Sequence, residues 1–550
     1  MAARARGADA PPATAEIDTR MGPIGVTRLG VATCAFVLLM FAGGGSALNA
    51  QGTTTTASSW TVYHGNPQGT GIAPSASSVI LSSRAWTSPT LDGQIYGEPL
   101  AFDGHVFVAS ENDTVYALSA ASGVVVWSAH LGTPVPASTL PCGNISPTVG
   151  ITGTPVVDAA RSEVFVVADE LVGHHPAHEI VGLDAATGEV ELTQDVDPRG
   201  STPAALLQRT GLTLDAGRVV FGFGGNYGDC PTYHGWVVSV PETGGAIETF
   251  AVDSGAGESQ GAVWMGGAAP VVDSGGNIWV EAGNGSVTSP SAEYDNSDSV
   301  LELSPALALE QYFAPSSWAT DNARDGDLST APALLDDGEV VGAGKDGGAY
   351  LLDGAHLGGI GGEQASAPSA CGQDIDGGPA IVGTTVYLPC LNGPVALQVS
   401  SKPAGLRVLW RAAAGGGPPI LAAGLVWSIG QNGVLYGLST TTGAVVRQAS
   451  IGEPANHFPT PSVGDGLFLA AAAKDVVAFH AATNGVAGVT TTTTTSPATS
   501  TTRSAASSKP PASTGGTPAA VIVAIVLGAL AVVGGALWLW RRTRRHGTAP

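Results

Sequence analysis

From residue 98 onward, short apolar runs alternate with turn residues in a fixed order. The first set is Glu98-Pro-Leu-Ala-Phe, a turn at Asp103-Gly104, His105-Val-Phe-Val-Ala-Ser, Asn112-Asp-Thr-Val-Tyr-Ala-Leu-Ser, a turn at Ser122-Gly123, and Val124-Val-Val-Trp127. Runs of this length, rich in β-branched and aromatic residues and bounded by Gly, Asp and Ser, predict strands. Four in succession predict a four-stranded antiparallel unit.

The same order returns along the chain. It is met at Thr154-Pro-Val-Val-Asp158, Ala269-Pro-Val-Val-Asp273, Ala331-Pro-Ala-Leu-Leu335, Gly378-Pro-Ala-Ile-Val382, Pro418-Pro-Ile-Leu421 and Thr460-Pro-Ser-Val-Gly464. One further unit starts near Thr213 and lacks the Pro. Anchors at 99, 155, 213, 270, 332, 379, 419 and 461 give eight units, spaced by 56, 58, 57, 62, 47, 40 and 42 residues. Units of this length with four short strands predict propeller blades. The last unit stops after its third strand near Ala482, and Arg84-Ala-Trp86-Thr-Ser88 supplies a spare fourth strand ahead of the first unit. Trp86 matches Trp127 and Trp410, which end fourth strands. The expected fold is therefore all-β: an eight-bladed β-propeller of four-stranded blades closed by an N-terminal strand. A linear solenoid would not need the split unit.

The ends differ from the body. Residues 29–42 are apolar, follow Arg28 and precede small residues, which predicts a signal peptide cut after Ala47 or Ala50. Met21 is the expected start of that signal within an N-terminal segment 1–50. The propeller is expected over 60–488 and a Thr/Ser/Pro-rich stalk over 489–517. A single C-terminal transmembrane helix is expected over 518–540, long enough to span about 33 Å. It ends in Trp538 and Trp540, and Arg541, Arg542, Arg544 and Arg545 open a basic cytoplasmic tail, 541–550. Pro511-Ala-Ser-Thr-Gly515 is similar to a sortase sorting signal without its leading Leu, so covalent wall anchoring stands beside a plain membrane anchor.

The 77 Gly and 37 Pro suit many tight turns. Residues 51–490 hold 12 Lys and Arg against 42 Asp and Glu. A body this acidic repels phosphate backbones, which excludes a nucleic-acid partner.

The units resemble the PQQ-like, quinoprotein-type propeller repeat, whose consensus ends Ala-Leu-Asp-x-x-Thr-Gly-x-x-x-Trp. Val181-Gly-Leu-Asp-Ala-Ala-Thr-Gly188 and Val115-Tyr-Ala-Leu-Ser-Ala-Ala-Ser-Gly123, with Trp127 after it, carry the match. The lead-in Trp60-Thr-Val-Tyr-His-Gly-Asn-Pro-Gln-Gly-Thr-Gly71 is similar to the segment that precedes the ring in such proteins. The resemblance to the alcohol dehydrogenases of this type implies PQQ, a calcium ion, a vicinal Cys-Cys disulfide and a catalytic Asp over the quinone. This chain has no adjacent Cys pair, no matching calcium ligands and no Cys-x-x-Cys-His motif, which disfavours PQQ and calcium as cofactors.

Extra sequence at 133–149, 170–179, 224–235, 284–299 and 313–327 falls between second and third strands or between blades, and so on one face. Such loops on a rigid scaffold point to binding. Cys142, Cys230, Cys371 and Cys390 are expected in disulfides; of three connectivities, 142–230 with 371–390 is favoured. His174, His175 and His178 are metal candidates, although solvated loop histidines are the plainer reading. Asp325 and Asp327, in Asp321-Asn-Ala-Arg-Asp-Gly-Asp327, offer oxygens suited to calcium or serve as turn formers. Tyr227, Asp229, Tyr233 and His234 mix aromatic faces with polar tips, as glycan or peptide sites do. No catalytic residue is assigned. The expected function is a membrane-tethered, monomeric, extracytoplasmic module that binds a protein or an envelope glycan through its loop-rich face. An exported quinoprotein-type oxidoreductase is the alternative.

Overall fold

Each repeat folds as one sheet, because its three inner runs are apolar enough to be buried on both faces while its fourth alternates. In the first blade the strands are Leu100–Phe102, His105–Ser110, Thr114–Ser119 and Val125–His130, paired in that order. The middle two are almost wholly buried, and the outer one exposes every second side chain or more. The protein is described by a computed structural model covering residues 59–456 and 458–483. Seven further sheets repeat the pattern, with inner strands at Val156–Asp158, Thr213–Asp215, Val271–Val272, Ala333–Leu334, Ala380–Val382, Ile420–Ala422 and Ser462–Gly464. The chain is an all-β eight-bladed propeller. The expected signal peptide, stalk, membrane helix and basic tail lie outside the described residues. Among the described residues, no helix is long and apolar enough to cross a membrane.

The eighth blade is shared by the two ends of the ring. Ala76–Thr87 pairs antiparallel with Asp475–Thr483 and forms its outer strand. The strand is longer than the expected segment 84–88, with register shifts between Ile80 and Arg84 and between Arg84 and Trp86.

Tryptophans seal three of the blade junctions in the same way. The indole N–H of Trp86 donates to the Ala120 carbonyl at 2.8 Å, that of Trp127 to Ala185 at 3.0 Å, and that of Trp410 to Thr440 at 2.9 Å. Each ring lies on a glycine of the next blade: Gly123, Gly188 and Gly443. All three glycines have positive φ (72°, 73° and 69°), and a Cβ there would collide with the ring. This explains the spacing of Gly and Trp in the repeat: the Gly forms the turn of one blade and receives the Trp of the blade before it.

Residues 60–73 run across the channel beside the inner strands. The amides of Val157, Val272, Ile381 and Leu421, in four different blades, donate to the carbonyls of Thr61, Pro67, Thr70 and Gly71. Trp60 pairs with Ala101 in a fifth. The Glu98 carboxylate accepts from the Trp60 indole at 3.0 Å and from the His64 amide at 2.9 Å. The lead-in segment is therefore a plug held against five of the inner strands.

Two departures from the expected layout have local causes. Segment 170–179 is no irregular loop: Glu163–Val172 and His175–Asp184 form one long hairpin, turning at Gly173-His174, both with positive φ. In the fifth blade, the chain between Ala349–Asp353 and Ala365–Ala367 leaves its sheet, and Gly359–Ile360 pairs parallel with the outer strand of the fourth blade. The excursion leaves after the third strand and runs back along that outer strand to Phe313 and Ala314, where the insertion at 313–327 begins.

Gly104 and Gly188 separate the two demands on a turn glycine. Gly104 has φ of 78° and nothing near its missing Cβ, whereas a Cβ on Gly188 would stand 2.5 Å from the Trp127 ring. Gly104→Ala should cost about 1 kcal/mol from backbone strain alone. Gly188→Ala should cost roughly 1–3 kcal/mol more, from overpacking. Urea unfolding of the two variants checks this; equal midpoints would contradict the docking role of Gly188.

Candidate functional site

Strands alternate in direction within a blade. Loops between second and third strands therefore emerge at the same end as the connections between blades. Cys142, in the connection after the first blade, bonds to Cys230, in a loop of the third, with Cα atoms 6.0 Å apart. Cys371, in the connection into the sixth blade, bonds to Cys390, after that blade's second strand, at 5.7 Å. This is the favoured connectivity, and both bridges lie at the insertion-bearing end.

Beside the first bridge is a shallow recess lined by Leu140, Ile145, Leu207, Asn226 and Tyr227 among others. Tyr227 is 71% exposed. The neighbouring candidates divide. Asp229 is exposed and accepts the Tyr233 hydroxyl at 2.7 Å. Tyr233 is buried against Gly225, and His234 is half-buried with Nδ1 2.9 Å from the Asp253 carbonyl. Tyr233 and His234 therefore brace the loop that presents Tyr227 and Asp229.

The three histidines do not converge. His174 occupies the hairpin turn and His175 is exposed beside it. His178 corrects the reading of solvated loop histidines, because its side chain is fully buried. Its Nδ1 lies 2.8 Å from Asp197 Oδ1, its Nε2 3.8 Å from Asp169, and its ring meets the Phe223 ring edge-on. Burial disfavours the imidazolium, but Asp169 and Asp197 outweigh it and hold His178 above its ordinary value. Asp325 and Asp327 are held by a lysine: Lys345 Nζ is 3.0 Å from the first and 2.6 Å from the second. The positive charge a calcium ion would supply there is already supplied by Lys345. Among the described residues, no group of three or more His, Cys, Asp or Glu could hold a metal ion.

Sequence reasoning missed the mouth of the channel at this same end. Tyr96, Arg209, Trp264, Asp376 and Phe458 each stand in a connection that leads into an inner strand. They belong to five different blade junctions, so no local motif joins them. The Arg209 guanidinium carbon is 5.8 Å from the ring centroids of both Tyr96 and Phe458. Lys345 Nζ is 4.7 Å from the Trp264 ring. The one signal in the sequence was position, a few residues ahead of each repeat anchor.

Around this mouth, carboxyl groups are buried. Desolvation pushes Glu111 up to about 7, against hydrogen bonds from the Gly150 amide and the Thr152 hydroxyl. Burial does the same to Asp169 and Asp376, both to about 7. Asp113 is pushed up to about 9, by burial first and then by the negative charges of Asp169, Glu170 and Glu111. Unfolded, these groups titrate near pH ~4. Below that value both states are protonated and the stabilising difference is fully present. As the pH rises toward the folded values the unfolded chain releases these protons first, so stability is lost. The thermal midpoint should therefore be lower at about pH 8.5 than at about pH 5.5, and Asp113→Asn should flatten the slope. A midpoint that rises with pH over this window would contradict the buried neutral state.

The sequence profile of the family described as outer membrane protein assembly factor BamB matches residues 60–353. Among curated protein sequences, none matches. Solved structures do. A europium-containing methanol dehydrogenase is 15% identical, with TM-score 0.54, over 75% of this chain and 89% of that one. A quinohemoprotein alcohol dehydrogenase from Pseudomonas putida HK5 is 13% identical, with TM-score 0.53, over 83% of each chain. One from Comamonas testosteroni is 15% identical, with TM-score 0.52, over 77% of this chain and 80% of that one. At such identities the likeness is one of fold. The residues present do not fit a quinone with its metal ion: the sequence has no adjacent Cys pair, and no His, Cys, Asp or Glu cluster among the described residues could hold the ion. The repeat grammar, the docked tryptophans and the profile match agree, and the chain belongs to the PQQ-like propeller family described as outer membrane protein assembly factor BamB.

Proposed function

We propose that this chain is an extracytoplasmic, membrane-tethered scaffold that binds a protein partner through the insertion-bearing end of its propeller. The observation that carries the reading is the Cys142–Cys230 bridge, which ties two separate insertions together beside the recess under Tyr227. A large, exposed aromatic on a covalently braced loop loses little conformational freedom on docking. The family description, an assembly factor, is consistent with a role in contact rather than catalysis. The composition of residues 1–50 and 489–550 supports export and a membrane anchor, with wall anchoring through Pro511–Gly515 as the variant form. An envelope glycan is the other ligand class that Tyr227 and Asp229 suit. The oxidoreductase reading finds no support in the side chains at the mouth.

Site-specific photo-crosslinking in the producing cell tests the docking end. A photoreactive residue replacing Tyr227 should give discrete protein adducts, whereas one replacing Val446, 55% exposed on an outer strand, should not. Replacing Cys142 and Cys230 together with Ser should weaken the adducts while circular dichroism keeps its β signal. Equal labelling from both positions, or none from 227, would assign the partner surface elsewhere.

A further inference from the structure

We infer that the channel mouth is a carboxylate-recognition site in which Arg209 is the anion-binding residue. The inference rests on the docking end proposed above and names the chemistry it reads. Arg209 is only 8% exposed. No hydrogen bond or ion pair joins its guanidinium to another described residue; its neighbours are the rings of Tyr96 and Phe458 and the bare Cα of Gly267. Arg209 is the one Lys or Arg that is buried among the described residues, in a chain where 45 carboxylates face 22 basic side chains. Arg161 pairs with Asp158, Glu163 and Glu242, Arg218 with Glu248, and Lys345 with Asp325 and Asp327. A desolvated guanidinium without an anion is unfavourable, so a mouth that keeps one free is built to receive the anion from outside.

The surroundings favour a carboxylate. The planar guanidinium matches a carboxylate in two parallel hydrogen bonds, and the Tyr96 and Phe458 rings beside it lower the local polarity in which such a pair would form. The nearest acidic groups with electrostatic influence, Glu111 and Asp376, are buried and shifted upward, so neither neutralises Arg209 fully at neutral pH. Residues 60–73 fill the channel against five inner strands, and the mouth residues stand at the insertion-bearing end, which is the approach. Tyr96, Trp264 and Phe458 are each half-buried, forming a lip with one side to solvent. The carboxylate belongs either to an acidic side chain of the docked partner or to a free organic acid, and the two sources can be told apart.

The purified full chain is titrated at low ionic strength with sodium glutarate and, separately, with a capped Asp/Glu hexapeptide. Glutaramide and the matching Asn/Gln peptide are the neutral controls. At least one acid should raise the thermal midpoint saturably, and neither control should. Response to the peptide alone identifies a partner side chain as the source, and response to glutarate identifies a free acid. Arg209→Met should weaken the response by about tenfold or more, and without the acid its midpoint should equal or exceed that of the parent chain. A parent chain that ignores both acids overturns the inference. So does a variant that responds equally, or one whose midpoint drops without acid, because the guanidinium would then be structural. Adducts from position 227 report the docking end independently: if they persist while the mouth ignores both acids, only the carboxylate reading fails.

Discussion

The ring depends on one antiparallel pairing, Ala76–Thr87 against Asp475–Thr483. Without it the eighth blade would expose the full edge of its third strand, and unpaired edges invite pairing with other chains. The same strand carries Trp86, whose indole reaches Ala120 and rests on Gly123 in the first blade. A single stretch thus completes one sheet and seals that sheet to its neighbour. Directly ahead of it run residues 60–73, whose carbonyls serve four inner strands and whose Trp60 pairs with a fifth. Closure of the rim and closure of the channel are one event.

With the channel filled by main chain, its mouth is left to side chains. There the connections into the inner strands bring Tyr96, Arg209, Trp264, Asp376 and Phe458 together from positions far apart in sequence. Farther out, Cys142–Cys230 and Cys371–Cys390 tie loops to connections. The inner group is rigid because each member stands immediately ahead of a buried strand. The outer group is rigid because it is cross-linked.

The fold was largely legible in the sequence, because the turn glycines, the Pro before inner strands and the docked tryptophans recur at a constant spacing. The split eighth blade could be read because Trp86 shares its role with Trp127 and Trp410. Residues 170–179 were read as added sequence between second and third strands, and they extend that hairpin; His178 was placed in water because nothing local announces Asp169, Asp197 and Phe223 around it. The excursion through Gly359–Ile360 was missed since its two paired residues carry no strand signal of their own. Arg209 could not be found from composition or motif: its partners come from other blade junctions, and only closing the ring brings them to it.

The plug has a consequence for the timing of biogenesis. Residues 60–73 and 76–87 are made before any blade, yet their partners extend to Leu421 and Thr483. A chain made N-terminus first carries this leading stretch, including Trp60, Tyr63 and Trp86, without its partners until nearly four hundred further residues have arrived. The acidic character of the body then acquires a second use: mutual repulsion between emerging chains keeps their uncovered leading segments apart for as long as each one waits.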